Sequence, residues 1–262
     1  MQQHSNAYII GFAATVCLVC SIVVSSAAVA LRPRQVLNKE LDRQKQVLTV
    51  AGLIETGQSV EPDEVERLFD ESIVARAVEL STGAYDESVD PSTFDQRKAT
   101  KDPAMSSQAG PNDAGIRRLP NKAVVYQKVV DDEVEMVILP IEGKGLWSTL
   151  YGFIALAPDG STIEGITFYE HGETPGLGGE VENPSWKALW PGRQAFDATG
   201  DVAIEVIKGH AGPPAEDPYR VDGLSGATIT ARGVSHLVRF WLSERGFGPY
   251  LERYRSEAGG EA

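Results

Sequence analysis

Apolar residues first crowd into a single run. From Tyr8 to Leu31 the chain reads YIIGFAATVCLVCSIVVSSAAVAL, and no Asp, Glu, Lys or Arg occurs before Arg32. As a helix this run spans roughly 36 Å, enough to cross a hydrocarbon core of about 30 Å. Ala28-Val29-Ala30 has the small-x-small form of a signal cleavage site. However, the residues before Tyr8 carry no Lys or Arg, and the run is longer than a signal core. The pattern predicts a tail over residues 1–7 and an uncleaved transmembrane helix over 8–31. Cys17 and Cys20 have CxxC spacing but lie inside this run, where they read as small apolar membrane residues rather than a redox pair.

Beyond the span the period changes. Leu37, Leu41 and Leu48 recur on one helical side up to Gly52, which predicts a helix running out of the membrane. A second helix is predicted from Pro62, with Val65, Leu68, Phe69 and Ile73 at helical spacing and an acidic, solvated face. Residues 85–119 are rich in Asp, Ser, Pro and Gly without apolar periodicity, and predict a long surface excursion. Strand patterns follow: Ala123–Val130 and Val134–Pro140 around Asp131-Asp132, then Tyr151–Ala157 and Ser161–Tyr169 around Pro158-Asp159-Gly160. Val202–Lys208 reads as a further strand. The last strong element is a helix from Ala227 to Glu244, with Val234, Leu237, Val238, Trp241 and Leu242 on one face. Gly246 stops it, and Pro249 opens a short terminal helix. The fold class is α+β: an antiparallel sheet with packed helices behind one N-terminal transmembrane helix. This divides the chain into 1–7, 8–31, a helical membrane-proximal region with its excursion over 32–119, and a domain over 120–262.

Composition narrows the function. The 37 Asp and Glu against 24 Lys and Arg give a net charge of −13, which argues against nucleic acid as a partner. With only two cysteines, both in the span, a disulfide scaffold or cysteine-ligated cluster is excluded from the rest of the chain. Arg32, Arg34, Lys39, Arg43 and Lys45 follow the span against Glu40 and Asp42, so loop charge alone places the large domain in the cytoplasm.

Three segments have unusual composition. Gly143-Lys144-Gly145-Leu146-Trp147-Ser148 offers an aromatic plate at a cleft, or a plain hairpin loop with a core Trp. His171-Gly172-Glu173-Thr174-Pro175-Gly176-Leu177-Gly178-Gly179-Glu180 permits close backbone approach to a ligand, or makes a wide turn. It is not a dinucleotide fingerprint, since Val181 stands where the third glycine belongs. His171 has no second His within metal-motif spacing and reads as a loop residue. Asp222-Gly223-Leu224-Ser225-Gly226-Ala227-Thr228-Ile229-Thr230 runs into the last helix. Free N–H groups and the helix dipole make such a start an anion site, or the hydroxyls simply cap it.

Taken together, SGAT-x-T ahead of an apolar helix, HGETPGLGGE, GKGLWSTLYG, the ALWPG stretch over 188–192 and the ending FWLSERGFGPYL from Phe240 resemble the covalent FMN-binding domain family. The resemblance is to the C subunits of the Na+-translocating NADH:quinone reductases and covers nearly the whole chain. The related G subunit of the Rnf-type ferredoxin:NAD+ reductases shares the SGAT element and is the alternative. A membrane-anchored, non-redox binding protein, with SGAT as a mere cap, is the alternative of a different class.

The resemblance implies FMN esterified through its phosphate to Thr228, with Ser225, Gly226 and Ala227 in close backbone contact. It further implies a ring bed of Trp147 and Leu177, polar contacts from Glu173 and Thr174, close approach at Gly178, and charge compensation by Lys208. It implies no metal and no catalytic residue proper, but a relay of single electrons between neighbouring subunits of a six-subunit membrane assembly. The resemblance also implies a separate flavin transferase that attaches the cofactor. The flavin domain is expected on the periplasmic side of the bacterial inner membrane, against the loop charge. No nicotinamide-binding βαβ unit is found, so NADH oxidation is expected in another subunit. The span holds no charged residue to form a sodium path.

Overall fold

The computed structural model describes residues 5–55 and 57–258, so part of the tail predicted over 1–7 lies outside the described residues. The chain forms two compact units, Met1–Arg43 and Gln44–Ala262.

The first unit is helical. The predicted span and the helix predicted after it are one element, α1 (Asn6–Val50), which continues through Pro33. Its apolar stretch exposes Ile10, Phe12, Leu18, Ile22 and Val24 along its length, and it is long and apolar enough to cross a membrane.

The second unit takes in the end of α1, where Val47, Leu48 and Val50 are buried. It continues with α2 (Pro62–Ser72), β1 (Ile73–Glu79), α3 (Gln96–Lys101), β2 (Ser106–Gln108), β3 (Arg118–Pro120), β4 (Lys122–Val130), β5 (Glu133–Lys144), β6 (Thr149–Leu156) and β7 (Ile163–Glu170). A 3-10 turn at Gly178–Glu182, α4 (Pro184–Lys187), β8 (Glu205–Val206), β9 (Arg220–Val221), α5 (Thr228–Leu242) and α6 (Gly248–Ala258) complete it. Five strands form the main sheet in the order β1-β4-β5-β6-β7, each pair antiparallel.

Both faces of this sheet are covered. Val125, Val137, Leu139, Ile141, Leu150 and Ile154 belong to the core that includes Val234, Leu237 and Trp241 of α5. Val124, Tyr126, Ile138 and Phe153, alternating with them, belong to the core with Leu48, Ile54 and Val65. Strands buried on two faces read as continuous apolar runs, which is why β4 and β5 stand out in the sequence.

The two predicted hairpins are present, for the reasons their turns suggested. Asp131 and Asp132 have φ of 51° and 66°, the left-handed pair that a two-residue hairpin of matching twist requires. At the second turn, the Asp159 carboxylate accepts the N–H groups of Ser161 and Thr162, both at 2.8 Å.

Four expectations are corrected. Ile73 is not on the second helix; it opens β1, an edge strand supplied by the region read as helical. The segment over 85–119 is not a bare excursion: it contains α3 and β2, ends in β3, and places Ala109, Ala114 and Ile116 in the core. The strand over Val202–Lys208 shrinks to Glu205–Val206, which pairs in parallel with β9, and Lys208 lies beyond it. The strand ending at Pro140 runs on to Lys144, so the first glycine of the Trp147 segment is in the sheet.

That glycine has a packing reason. A Cβ on Gly143 would lie 2.4 Å from Leu237 Cβ, and one on Gly233 would lie 2.4 Å from the Lys144 carbonyl oxygen. Helix α5 therefore sits directly on β5, and its second turn, at Gly233, comes to the end of the strand that leads into Trp147.

Candidate functional site

The three unusual segments meet at the start of α5, and Glu173 joins them. The residue is buried, 5% exposed. Oε1 accepts the N–H of Trp147 at 2.9 Å and of Ser148 at 3.2 Å; Oε2 accepts the N–H of Leu146 at 3.2 Å and the Thr230 hydroxyl at 2.5 Å. Burial raises the pKa of Glu173, but Thr230 and the three amides outweigh it and hold the carboxyl below its ordinary value. Space for it comes from two glycines: a Cβ on Gly145 would lie 2.6 Å from Oε1, and one on Gly178 2.6 Å from Oε2 and from Thr230 Oγ1.

The sequence reading has Glu173 reaching for a ligand; in the structure its oxygens accept bonds from protein donors. His171 is likewise absorbed in the loop. Its Nδ1 accepts the Glu173 N–H at 3.2 Å, and its Nε2 lies 3.0 Å from the Glu182 carboxylate. Thr174 shapes the loop through its carbonyl, which accepts the N–H of Leu177 and Gly179, and leaves its side chain exposed.

Around this frame lies an apolar shelf. Trp147 is 70% exposed, so it is not the core Trp that a plain hairpin would hold. Leu146, Leu177 and Ile229 are also exposed. Leu177 reaches the motif itself: Gly226 has φ of +71°, and a Cβ there would lie 2.9 Å from Leu177 Cδ2.

The start of α5 is open. Ala227 occupies the cap position with φ −127° and ψ 45°, and no side chain caps the helix. Neither nearby hydroxyl caps it: Ser225 is exposed, and Thr230, fully buried, donates to Glu173. Ala227 is buried and Thr228 is exposed on the first turn.

Thr228 lines a cleft of about 630 Å³ together with Ser225, Gly226 and Lys208. Three residues that the sequence reading missed share it: Arg232, His236 and His210. The signal for two of them was available, since 228, 232 and 236 are spaced by four and fall on one helix face. Glu205, also in the wall, is paired with Arg239 at 2.8 Å. Lys208 and Arg232 thus give this cleft a cationic character in a chain of net charge −13. The loop carrying Lys208 is tied to the motif: Gly223 N–H donates to the Gly209 carbonyl at 2.9 Å, and the Asp222 carboxylate accepts the Ala211 N–H at 2.8 Å and meets His210 Nδ1 at 2.6 Å. Burial works against the Asp222 charge, but His210 and the Ala211 amide hold its pKa below the ordinary value.

Of the sequence-predicted residues, Ser225, Gly226, Thr228 and Lys208 are brought together in the cleft. Ala227, Trp147, Glu173, Thr174, Leu177 and Gly178 do not line it. An exposed hydroxyl on an uncapped helix start, between a cationic cleft and an apolar shelf, can accept a ligand with a phosphate at one end and a flat aromatic system at the other.

Comparison with known proteins points the same way. The FMN-binding domain family matches residues 145–243. The C subunit of the Na(+)-translocating NADH-quinone reductase of Pseudomonas aeruginosa is 47% identical over 256 residues, 97% of each chain. The corresponding C subunit of Vibrio anguillarum is 49% identical over 240 residues, 91% of each chain. Among solved structures, NqrC of Shewanella oneidensis superposes with a TM-score of 0.77 at 37% identity, covering 84% of this chain and 99% of the other. The C subunit from Parabacteroides distasonis gives a TM-score of 0.64 at 29% identity, over 84% and 96%. With the α+β fold, the apolar N-terminal helix and a nearly end-to-end match in agreement, the chain belongs to the family of C subunits of the Na(+)-translocating NADH-quinone reductases.

Proposed function

We propose that Thr228 carries FMN through a phosphoester bond, formed with net loss of one water, and that the chain relays single electrons between redox centres of neighbouring subunits of a Na+-translocating NADH:quinone reductase. The observation that carries this reading is the exposed Thr228 hydroxyl on an uncapped helix start, lining the same cleft as Lys208 and Arg232. Bound FMN supplies the one-electron redox chemistry. The chain supplies the rest. The N–H groups at the start of α5 and the cations of the cleft favour the phosphate charge. Ser225, Gly226 and Ala227 keep the backbone close to it, and Trp147 and Leu177 offer apolar surface to the ring. The flavin-carrying part is assigned to residues 120–262, completed by β1, behind the membrane-proximal region 32–119. Partners are the other subunits of the membrane complex and a flavin transferase that makes the attachment.

The test is the complex assembled with the Thr228→Ala chain. NADH oxidation by a soluble artificial acceptor is expected to persist, since it belongs to another subunit, while NADH-driven quinone reduction is lost. Quinone reduction at the wild-type rate contradicts the relay.

The ring bed has its own prediction. Trp147→Ala is expected to keep the flavin attached, because Thr228 and α5 are untouched, and to shift its absorption spectrum and reduction potential. An aromatic contact of roughly 0.5–1.5 kcal/mol, unequally shared between two redox states, corresponds to tens of millivolts at ~59 mV per tenfold for a one-electron couple. Spectroelectrochemical titration of both proteins reads this; identical spectra and potentials place the ring elsewhere.

We further assign the domain to the periplasmic side of the bacterial inner membrane, on the strength of the family resemblance and against the basic residues after the span. C-terminal phosphatase fusions are expected to be active and green-fluorescent-protein fusions dark. The reverse pattern restores the orientation that the charges favour.

A further inference from the structure

Trp147 is an exposed side chain on a turn, so no core packing fixes its direction. Its backbone must be fixed instead, and the three consecutive amides at Leu146, Trp147 and Ser148 all donate to one carboxylate. Converging N–H groups of this kind make a concavity for an anion, and here the protein supplies the anion itself. The same carboxylate takes the hydroxyl of Thr230, two residues after Thr228. Two residues on a helix are roughly 200° apart, so one threonine faces outward and the other inward. The burial agrees, with Thr228 exposed and Thr230 fully buried. A second tie, from Gly172 N–H to Ser148 Oγ at 2.6 Å, holds the loop of Glu173 to the same turn.

We infer that Glu173 is a positioning residue: through its bonds to the 146–148 amides and to Thr230 it sets the Trp147 plate relative to the Thr228 acceptor. Thr230 stands in SGAT-x-T to receive it. Gly145 and Gly178 are required beside it, since a Cβ at either position would meet the carboxylate. This rests on the reading that Thr228 holds the flavin and Trp147 faces its ring, and it accounts for the second threonine of the motif without a contact to the ligand. Acceptor and plate share one anchor, so a change at Glu173 reaches the flavin only through Trp147 and α5.

The test uses the full chain in detergent, with and without the flavin transferase, as wild type, Glu173→Gln, Thr230→Val and Thr230→Ser. In the Gln variant the side chain keeps its size, but an NH2 group faces amide donors that need an acceptor. Hydrogen exchange on unloaded protein is expected to quicken at the 146–148 amides by about tenfold in Glu173→Gln and Thr230→Val, and to match wild type in Thr230→Ser. In loaded protein, the flavin band and potential of Glu173→Gln are expected to move in the same direction as those of Trp147→Ala, with the covalent flavin still present by intact mass.

Unchanged exchange in Glu173→Gln overturns the inference. Faster exchange with an unmoved flavin spectrum and potential also overturns it, since Glu173 then holds only the turn. Should Glu173→Gln fail to fold, the Thr230 pair decides, and a Ser variant behaving like the Val variant rejects the link. Wild-type chain that takes up no covalent flavin refutes the proposed function instead, while the exchange arm still tests the link itself.

Discussion

Thr228→Ala chain, produced beside the modifying flavin transferase, is expected to show no flavin fluorescence in a denaturing gel, against a bright wild-type band. The effect is all-or-none because an alanine has no oxygen to esterify. Folding is expected to be unaffected: Thr228 is exposed at the first turn of α5, the helix uses no side-chain cap, and alanine is the better helix former. The neighbouring hydroxyls do not replace it. Thr230 is buried and bonded to Glu173, and Ser225 lies before the helix. A Thr228→Ala band that stays bright, with a dark one for Ser225→Ala or Thr230→Ala, moves the acceptor.

The largest effect on stability is expected from Trp241→Ala. Trp241 is fully buried, packs its ring 5.3 Å from that of Phe247 and 5.9 Å from that of Phe240, and donates Nε1–H to the Glu142 carbonyl at 2.7 Å. It thereby pins α5 to β5 near Gly143. Removing the ring leaves a cavity and an unpaired buried carbonyl, at a cost of about 3–5 kcal/mol. For a unit of this size that lowers Tm by roughly 6–20 °C. Thermal unfolding of the full chain followed by near-ultraviolet circular dichroism measures it; a fall below about 2 °C means that α5 is held elsewhere.

What the sequence made legible follows the range of the interactions involved. The hairpins at Asp131-Asp132 and Pro158-Asp159-Gly160 were readable because the turn residues dictate their own backbone. Strand β1 was not, because it leaves α2 at Ser72/Ile73 without Gly or Pro, and Ile73 falls eight residues after Val65, continuing the helical period. The segment over 85–119 hid its order for another reason. It is organised by local side-chain turns, such as Asp86 and Asp90 accepting the N–H of Ser88 and Ser92, and by Arg245, which binds the carbonyls of Ala109 and Pro111 from far along the chain. Strand β8 is only two residues long, and its partner at Arg220–Val221 leaves no local trace.

The same distinction runs through the site. Thr228 could be named from a compact motif, and Lys208 lines the same cleft although its strand ends earlier. Arg232 and His236 were one spacing argument away. The role of Glu173 was beyond reach, because it depends on bonds to residues 27 and 57 positions away. No motif announces those partners, and a carboxylate among glycines reads equally as one that binds a ligand.

The central claim is that FMN is bonded to the oxygen of Thr228. Its most direct measurement is mass spectrometry of the wild-type chain, made with the transferase, precipitated in acid and washed free of loose flavin. The intact protein is expected to weigh one FMN minus one water more than its sequence, and fragmentation of the peptide spanning residues 221–232 is expected to place that mass on Thr228. A chain at its sequence mass, or a flavin mapped to any other residue, contradicts the account.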